Sequence, residues 1–416
     1  MTRSLKFDPF LIGAALIATV LGLIAIWDAG YARAAVNGTL LPREFWMQGI
    51  FSVLSVGLGL ACAKITVQKW EKLASWLMGL GLFGLLLVEL PVIGKEIGGA
   101  RRWIDLKVMT IQPSEFVKLA AIIYLAAILT RHKPWEKPKF KNNRQWVGKV
   151  LIPKIGRALP FLPVLLSIAL IEHEPDLATA MVVVVVMYAM MFVGGVSWKS
   201  MALMSLIGAA FAGYMIMDKP YRIERILNHS SRWSERNIED IGYQTTQSEM
   251  AMASGGMIGH GLGEGRAKHT LPAPTTDFII ATVAEEFGLV GSLVILALMG
   301  TIALRLALLS FSRRESFDRL LLLGVAVWIG VQSATNIMMA NGTLPPIGLP
   351  LAFFSYGGSS LLAIWAAIGI CTSVLSRQES LDEDDSEPPV AKKKKRKFGV
   401  PKKNPTQHRS RSVTLR

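Results

Sequence analysis

Two cysteines in 416 residues, Cys62 and Cys371, are too few and too far apart for a disulfide framework or a metal-binding cysteine pattern. Both lie in apolar runs and read as small core residues. Charge is scarce too. Asp, Glu, Lys and Arg make up 18% of the chain against 51% hydrophobic residues, with a mean hydropathy of +0.41, a balance that excludes an ordinary soluble enzyme of this length. No Walker phosphate loop, no zinc-type spacing of His and Glu and no Gly-x-Ser-x-Gly elbow occurs, so ATP-driven transport and hydrolysis by the usual devices have no support. There is no fixed-period repeat, and no inverted half-to-half symmetry of the kind many secondary transporters carry. The first apolar run, Leu11 to Trp27, lacks a small-residue cleavage site and is followed by others, so it reads as a retained helix rather than a removed signal peptide.

What is present is a series of apolar runs, each near the ~20 residues needed to cross about 30 Å of hydrocarbon. They fall near 10–27, 46–65, 73–93, 114–130, 158–172, 177–195, 200–217, 287–308, 320–340 and 350–375. The pattern predicts an all-α integral membrane protein with about ten transmembrane helices and a large extracytoplasmic loop, 218–277, between the seventh and eighth. The net charge of +15 is gathered into a few segments, and cytoplasmic connections hold the excess of Lys and Arg. With both termini inside, the basic connection from Arg131 to Arg157, the pair Arg313 and Arg314, and the tail all fall on the cytoplasmic side. Residues 1–377 then form the membrane domain. Residues 378–416 run acidic (Asp382 to Asp385) and then basic (Lys392 to Lys397), which predicts a disordered charged tail, either lying against anionic lipid or merely solubilising. Within the long loop, Ile241 to Gly265 mixes apolar residues with Gly255, Gly256, Gly259, Gly261, Gly263 and Gly265, a composition suited to a compact loop with tight turns.

Four polar clusters fall on the outward side. The first is G-A-R-R-W-I-D (Gly99 to Asp105), followed by I-Q-P-S-E-F-V-K (Ile111 to Lys118). Arg101 and Arg102 beside an aromatic suit a phosphate or pyrophosphate. The plainer reading has them touching lipid phosphates, with Ser114 capping a helix and Glu115 paired with Lys118 one turn on. The second, E-H-E-P-D-L-A-T (Glu172 to Thr179), sets three carboxylates between two apolar runs, where such groups are expensive, although Asp176 equally reads as an N-cap. The third, Leu271 to Gly288, contains Asp277 where the loop turns back to the bilayer. Partial desolvation beside Phe278, Ile279 and Ile280 would raise its pKa toward that of a general base, whereas a role as helix N-cap would lower it. Glu285, just over two turns on, would share its face in a helix. The fourth, Asn341 to Ser360, interrupts a membrane-depth segment with prolines and glycines, and such backbone is buried or lines a cavity. Its bland reading is a turn whose Ser355, Ser359 and Ser360 let helices pack closely.

The blocks I-Q-P-S-E-F-V-K, E-P-D-L-A-T, G-Y-Q-T-T-Q-S-E-M-A-M-A-S-G-G-M-I-G-H-G-L-G, T-D-F-I-I-A-T-V-A-E-E-F-G and P-P-I-G-L-P-L-A-F-F-S-Y-G-G-S-S, in this order and spacing, resemble the SEDS family of peptidoglycan polymerases, typified by FtsW and RodA. The resemblance covers nearly the whole membrane domain. It implies a ten-helix enzyme that polymerises lipid II at the outer face of the bacterial cytoplasmic (inner) membrane. The implied partners are a class B penicillin-binding protein transpeptidase and divisome or elongasome proteins; nucleic acid is not among them. It puts the catalytic role on Asp277, which would take the proton of the acceptor 4-hydroxyl in an inverting transfer that releases undecaprenyl pyrophosphate. Arg101, Arg102, Lys118, Arg222 and Arg225 are the cations to hold that leaving group. Glu115, Asp176, Gln247, Ser248, Ser355 and Ser359, lying in the same blocks, join them as substrate-binding candidates. No bound metal is required by this chemistry; a divalent cation such as Mg2+ on the pyrophosphate would suit it.

The chain departs from the family pattern L-P-E-x-H-T-D-F, with Ala273 for the glutamate and Thr275 for the histidine, which alters how Asp277 is oriented and how its pKa is set. Glu174 replaces the usual glutamine and Ala178 the usual glycine of the P-D-L-G-T block. G-A-R-R-W-I and the long charged tail are closer to FtsW than to RodA, which favours a septal over an elongation role. A lipid II flippase, and a scaffold for the transpeptidase, are the readings from other classes.

Overall fold

Each of the ten apolar runs lies on a helix of the computed structural model, which describes residues 7–36, 38–97, 99–107, 109–131, 156, 158–218, 223–224, 227, 229–235, 237–240 and 242–386. Most of the basic connection after Arg131, most of the charged tail, and Arg222 and Arg225 lie outside the described residues. The chain runs α1 (Pro9–Val36), α2 (Arg43–Lys64) and α3 (Val67–Glu89), then three strands, β1 (Gly94–Ile97), β2 (Ala100–Asp105) and β3 (Thr110–Ile111), and α4 (Pro113–Thr130). There follow a 3-10 turn (Leu159–Phe161) leading into α5 (Leu162–His173), α6 (Leu177–Val193), α7 (Trp198–Asp218), α8 (Tyr243–Ser254) and α9 (Ala267–Thr270). The chain continues through α10 (Ile279–Phe311), α11 (Ser316–Ala340) and α12 (Gly358–Ser386). Contacts divide it into Met1–Gln378 and Glu379–Arg416.

Among the described residues seven helices are long and apolar enough to cross a bilayer, namely α1 to α4 and α10 to α12, and the stretches Leu159–His173 and Leu177–Val193 are shorter apolar helices. The all-α membrane class is therefore as expected, with seven crossings by length and apolarity where ten runs were read. Burial sorts the helices into two layers. In α4, α11 and the Gly358–Arg377 part of α12 most side chains are covered by protein, whereas α2, α3 and α10 leave large apolar groups such as Val53, Leu80, Phe83, Val294 and Leu304 exposed, the surface hydrocarbon would cover. The core is continuous across the first unit and includes Trp328, Ile122, Leu125, Phe278, Phe354 and the free thiol Cys371.

The sheet was not foreseen. β1, β2 and β3 form an antiparallel three-stranded sheet in that order, with Lys95 opposite Trp103 and Ile104 opposite Ile111. Strands this short were masked in sequence by Gly and charge, but pairing gives their backbone groups partners and fixes which face of the ribbon Arg102 occupies.

The long loop docks onto a break in α10. Gly288 has φ of 64°, a left-handed value that costs glycine nothing, and the helix is interrupted there. Four backbone bonds close the gap: His260 N to Glu285 O at 3.1 Å, Gly261 N to Glu286 O at 2.9 Å, Leu289 N to Gly256 O at 2.9 Å and Val290 N to Met257 O at 3.1 Å. Gly259 is needed at this contact, since a Cβ there would stand 2.1 Å from Glu286 O. Beneath the loop a cavity of about 430 Å³, open on one side, is lined by α1 and α10 residues including Leu21, Ile24, Val290 and Val294, with Asp28 its only ionisable wall.

Asp28 belongs to a buried ion cluster. Lys268 Nζ donates to Asp28 Oδ1 at 3.1 Å, to Glu286 Oε1 at 2.7 Å and to Gly263 O at 2.8 Å, while Glu286 also accepts from Gly263 N and Gly265 N, both at 3.0 Å. The cluster ties α1, the glycine-rich loop and α10 together.

Candidate functional site

Asp277 is seated by its backbone. Three successive main-chain oxygens each accept one bond, two of them from the turn before α12 and one from α11: Thr275 O from Tyr356 N at 2.8 Å, Thr276 O from Ser355 Oγ at 2.6 Å, and Asp277 O from Asn336 Nδ2 at 2.8 Å. The carboxylate itself is half-buried and, among the described residues, accepts no hydrogen bond. It does not cap α10, whose N-cap is Phe278 without a side-chain cap bond, so the helix-cap reading of Asp277 does not hold. The chain at Gly348 passes close by, for a Cβ there would lie 3.6 Å from Asp277 Oδ2. Burial pushes the Asp277 carboxyl up to about 6, with the positive charge of Arg102 acting against that rise and the negative charge of Asp176 adding to it.

Those two neighbours come from the first and second sequence clusters. Arg102, on β2, donates from Nε to Glu174 O at 3.0 Å and from an Nη2 proton to Pro175 O. A guanidinium has five N–H donors; among the described residues two of them find partners, which leaves three for an incoming anion. Asp176 caps α6, accepting from Thr179 N at 3.2 Å, and its other oxygen accepts from Gln112 Nε2 at 3.2 Å. Gln112 N in turn donates to Ser359 Oγ at 3.0 Å, so the starts of α4, α6 and α12 meet near Asp277. Behind them Glu174 is buried with neither carboxyl oxygen partnered. Burial first, then the charges of Asp176 and Glu89, drive its pKa up to about 9 against the opposing pull of Arg102, so the side chain is a neutral acid at pH 7.

Glu115 and Lys118 pair as the plainer reading had it, at 2.8 Å, but deep inside. Lys118 is 2% exposed, also donates to Gln332 Oε1 at 2.8 Å, and lies 5.2 Å from the centroid of the Trp328 ring. An ammonium so enclosed does not reach a pyrophosphate at the surface; it holds α4 to α11. Ser114 is not a cap either: Gln112 occupies the N-cap of α4, and Ser114 Oγ is buried without a partner. Arg101 points to the rim, with Nη2 3.6 Å from Glu96 Oε2 and Nη1 reaching Glu89 O at 3.5 Å. Ser248 Oγ donates to Ala340 O at 2.6 Å, which holds α8 to the end of α11; Gln247 beside it is half-buried. Glu285 turns away from Asp277, its Oε2 accepting from Ala267 N at 2.8 Å.

Two residues at this site escaped sequence reading. Gln332 and Asn336, one turn apart on α11, are wholly buried; Gln332 Nε2 donates to Pro350 O at 3.0 Å and Asn336 Nδ2 to Leu349 O at 2.7 Å as well as to Asp277 O. The signal was available, since two amides four apart within an apolar membrane-depth run are costly unless they bond something specific. The assembled features are a half-shielded carboxylate and, beside it, a cation with spare donors. Such a pair can accept a proton from a hydroxyl while holding a departing phosphate.

The family model for FtsW/RodA/SpoVE, described as cell cycle protein, matches residues 9–380. A probable peptidoglycan glycosyltransferase FtsW of Dichelobacter nodosus is 34% identical over 361 residues, covering 85% of this chain and 86% of the relative. One of the same name from Pseudomonas fluorescens is 33% identical over 374 residues, 88% of each. Among solved structures, a chain from a study of polymerization and crosslinking by a peptidoglycan synthase complex superposes with a TM-score of 0.70 at 28% identity, covering 90% of this chain and 99% of that one. The rod shape determining protein RodA of Thermus thermophilus gives 0.61 at 27% identity, over 90% of this chain and 98% of that one.

Proposed function

The chain belongs to the FtsW/RodA/SpoVE family of cell cycle proteins, and from that premise we propose that it is a peptidoglycan glycosyltransferase of the septal, FtsW-like type, with Asp277 as its general base. The observation that carries this reading is the state of Asp277. Its carboxylate is half-buried, has no hydrogen-bond partner among the described residues, and is pushed up to about 6 beside Arg102. A base of that strength is deprotonated at pH 7 yet still takes a proton readily.

In the reaction, the 4-hydroxyl oxygen of the acceptor sugar attacks the anomeric carbon of the lipid-linked donor from the face opposite the leaving group. The new C–O bond forms as the C–O bond to pyrophosphate breaks, the configuration inverts, and the hydroxyl proton passes to Asp277. The bonding pair leaves with the undecaprenyl pyrophosphate. Arg102 presents its free N–H donors to that charge, with Arg101 at the rim; Arg222 and Arg225, outside the described residues, are the further cations of the proposal. Ser359 and Asp176 act through Gln112 and set the floor of the site. Among the described residues no group of three or more acidic, histidine or cysteine side chains is arranged to hold a metal, so a Mg2+ ion in this proposal would be held chiefly by the pyrophosphate oxygens.

The reading places the Asp277 end of α10 on the outer face of the cytoplasmic membrane and both termini inside. The partner it implies is a class B penicillin-binding protein that crosslinks the product strand. The test is polymerisation of lipid II by the purified chain with its transpeptidase, comparing the parent with Asp277→Asn. Loss of glycan chains with the fold retained supports the reading. Unchanged chains would return the protein to lipid transport or scaffolding.

A further inference from the structure

Asn336 does something for Asp277 that no other described residue does. The Asp277 main-chain oxygen stands one residue ahead of the α10 N-cap, so no helical N–H reaches it, and its donor is Asn336 Nδ2 at 2.8 Å. The second hydrogen of the same amide goes to Leu349 O at 2.7 Å. Leu349 follows Gly348, whose backbone flanks Asp277 Oδ2, and Gly348 has φ of 72°. A single amide therefore spans the carboxylate's own backbone and the turn that faces the carboxylate.

We propose that Asn336 is a positioning residue for glycosyl transfer: by clamping Asp277 O and Leu349 O with its two N–H groups it fixes the gap between the Asp277 carboxylate and the Gly348 turn. The proposal rests on the reading of Asp277 as base. The orientation of the amide is forced, because two acceptors face it and a reversed side chain would set oxygen against oxygen. Its Oδ1 is buried without a partner, so the residue is not held in place for its acceptor. Asn336 sits in the buried face of α11, one turn beyond Gln332, which ties the next carbonyl of the same turn, Pro350 O, at 3.0 Å and carries the Lys118–Glu115 pair on its other end. The turn is thus pinned at two consecutive carbonyls by amides from one rigid helix. Rigid placement matters because a displacement of about 1 Å from near-attack geometry can cost roughly 100-fold in rate.

The test uses the full chain with its transpeptidase and lipid II, and two substitutions that approach the gap from opposite sides. Asn336→Asp keeps the volume and removes the paired donors; Gly348→Ala adds a Cβ 3.6 Å from Asp277 Oδ2 on strained backbone. Each is expected to lower kcat roughly 10- to 100-fold with KM for lipid II within about threefold of the parent, and to displace the acidic limb of the pH–rate profile. Combined, they are expected to cost less than the product of the two, because both disturb one gap. Equal kcat per folded molecule and an unmoved acidic limb in Asn336→Asp, or losses that simply multiply, overturn the proposal. Should Asn336→Asp fail to fold, Gly348→Ala decides alone through its kcat and acidic limb. Asp277→Asn run alongside separates the two ideas: if it still polymerises, the base assignment has failed, whereas if it is dead and Asn336→Asp is not, only the positioning role has.

Discussion

Two carboxylates at the head of α10 are treated in opposite ways. Glu286 has both side-chain oxygens engaged, Oε1 by Lys268 and Gly265 N and Oε2 by Gly263 N. Asp277 has its main-chain oxygen held by Asn336 and, among the described residues, its side chain left unbonded. Both are removed from bulk water, yet the first arrangement locks a loop to a helix and the second keeps a reactive group aimed and available. The difference teaches that burial of an acid does not by itself mark chemistry; of these two, only the acid that is partly open to solvent and left without a partner can take up a proton from a substrate.

The comparison breaks first if Asp277 can be spared. Asp277→Asn should lose about 100- to 10,000-fold in polymerisation rate, measured on lipid II, while its thermal transition in detergent stays close to the parent. Glu286→Gln should do the reverse. Lys268 loses one of its two carboxylate partners but keeps Asp28 and gains the amide oxygen, so the change is expected to cost about 1–3 kcal/mol of stability, read as a lowered melting temperature, with activity per folded molecule retained.

A smaller effect sharpens the same contrast. Because the base acts only when ionised, the rate limb governed by Asp277 should fall as pH drops through about 6, and a profile of kcat/KM against pH checks it. The last expected change concerns Glu174. Its folded pKa of about 9 lies above the ordinary 4.5, so the folded chain keeps a proton that the unfolded chain releases. Stability from this group therefore declines as pH rises from about 4.5 to about 9. Glu174→Gln, which supplies a neutral amide of the same shape, should melt higher than the parent at pH 8 and converge with it near pH 4.5.

Much of this was legible in the residues. Hydrophobic runs located the helices, because about 20 apolar positions in a row leave a chain few alternatives. Asp277, Arg102 and Asp176 were singled out as charges at a membrane border, each beside a plainer reading, and the resemblance put the catalytic role on Asp277; of the two helix-cap readings, that of Asp176 held and that of Asp277 did not. What could not be read was partnership. Lys118 and Arg102 look alike as cations in the sequence, yet one is enclosed by Glu115, Gln332 and Trp328 and the other keeps free donors, a distinction made by helices far apart in the chain. The sheet of β1 to β3 was hidden because its strands are too short for a periodic signal. Asn336 and Gln332 are harder to read because amides carry no charge, and their one signal is a four-residue spacing inside an apolar run.

The opening in α10 at Gly288 bears on the order of assembly. Hydrocarbon offers no hydrogen bonds, so the unpaired peptide groups on either side of the break need the stretch from Gly256 to Gly261 before that helix can rest in lipid. The loop precedes the helix on the ribosome, and so the hairpin between them is expected to close early, with the loop serving as a template for the span that follows it rather than as a lid added afterwards.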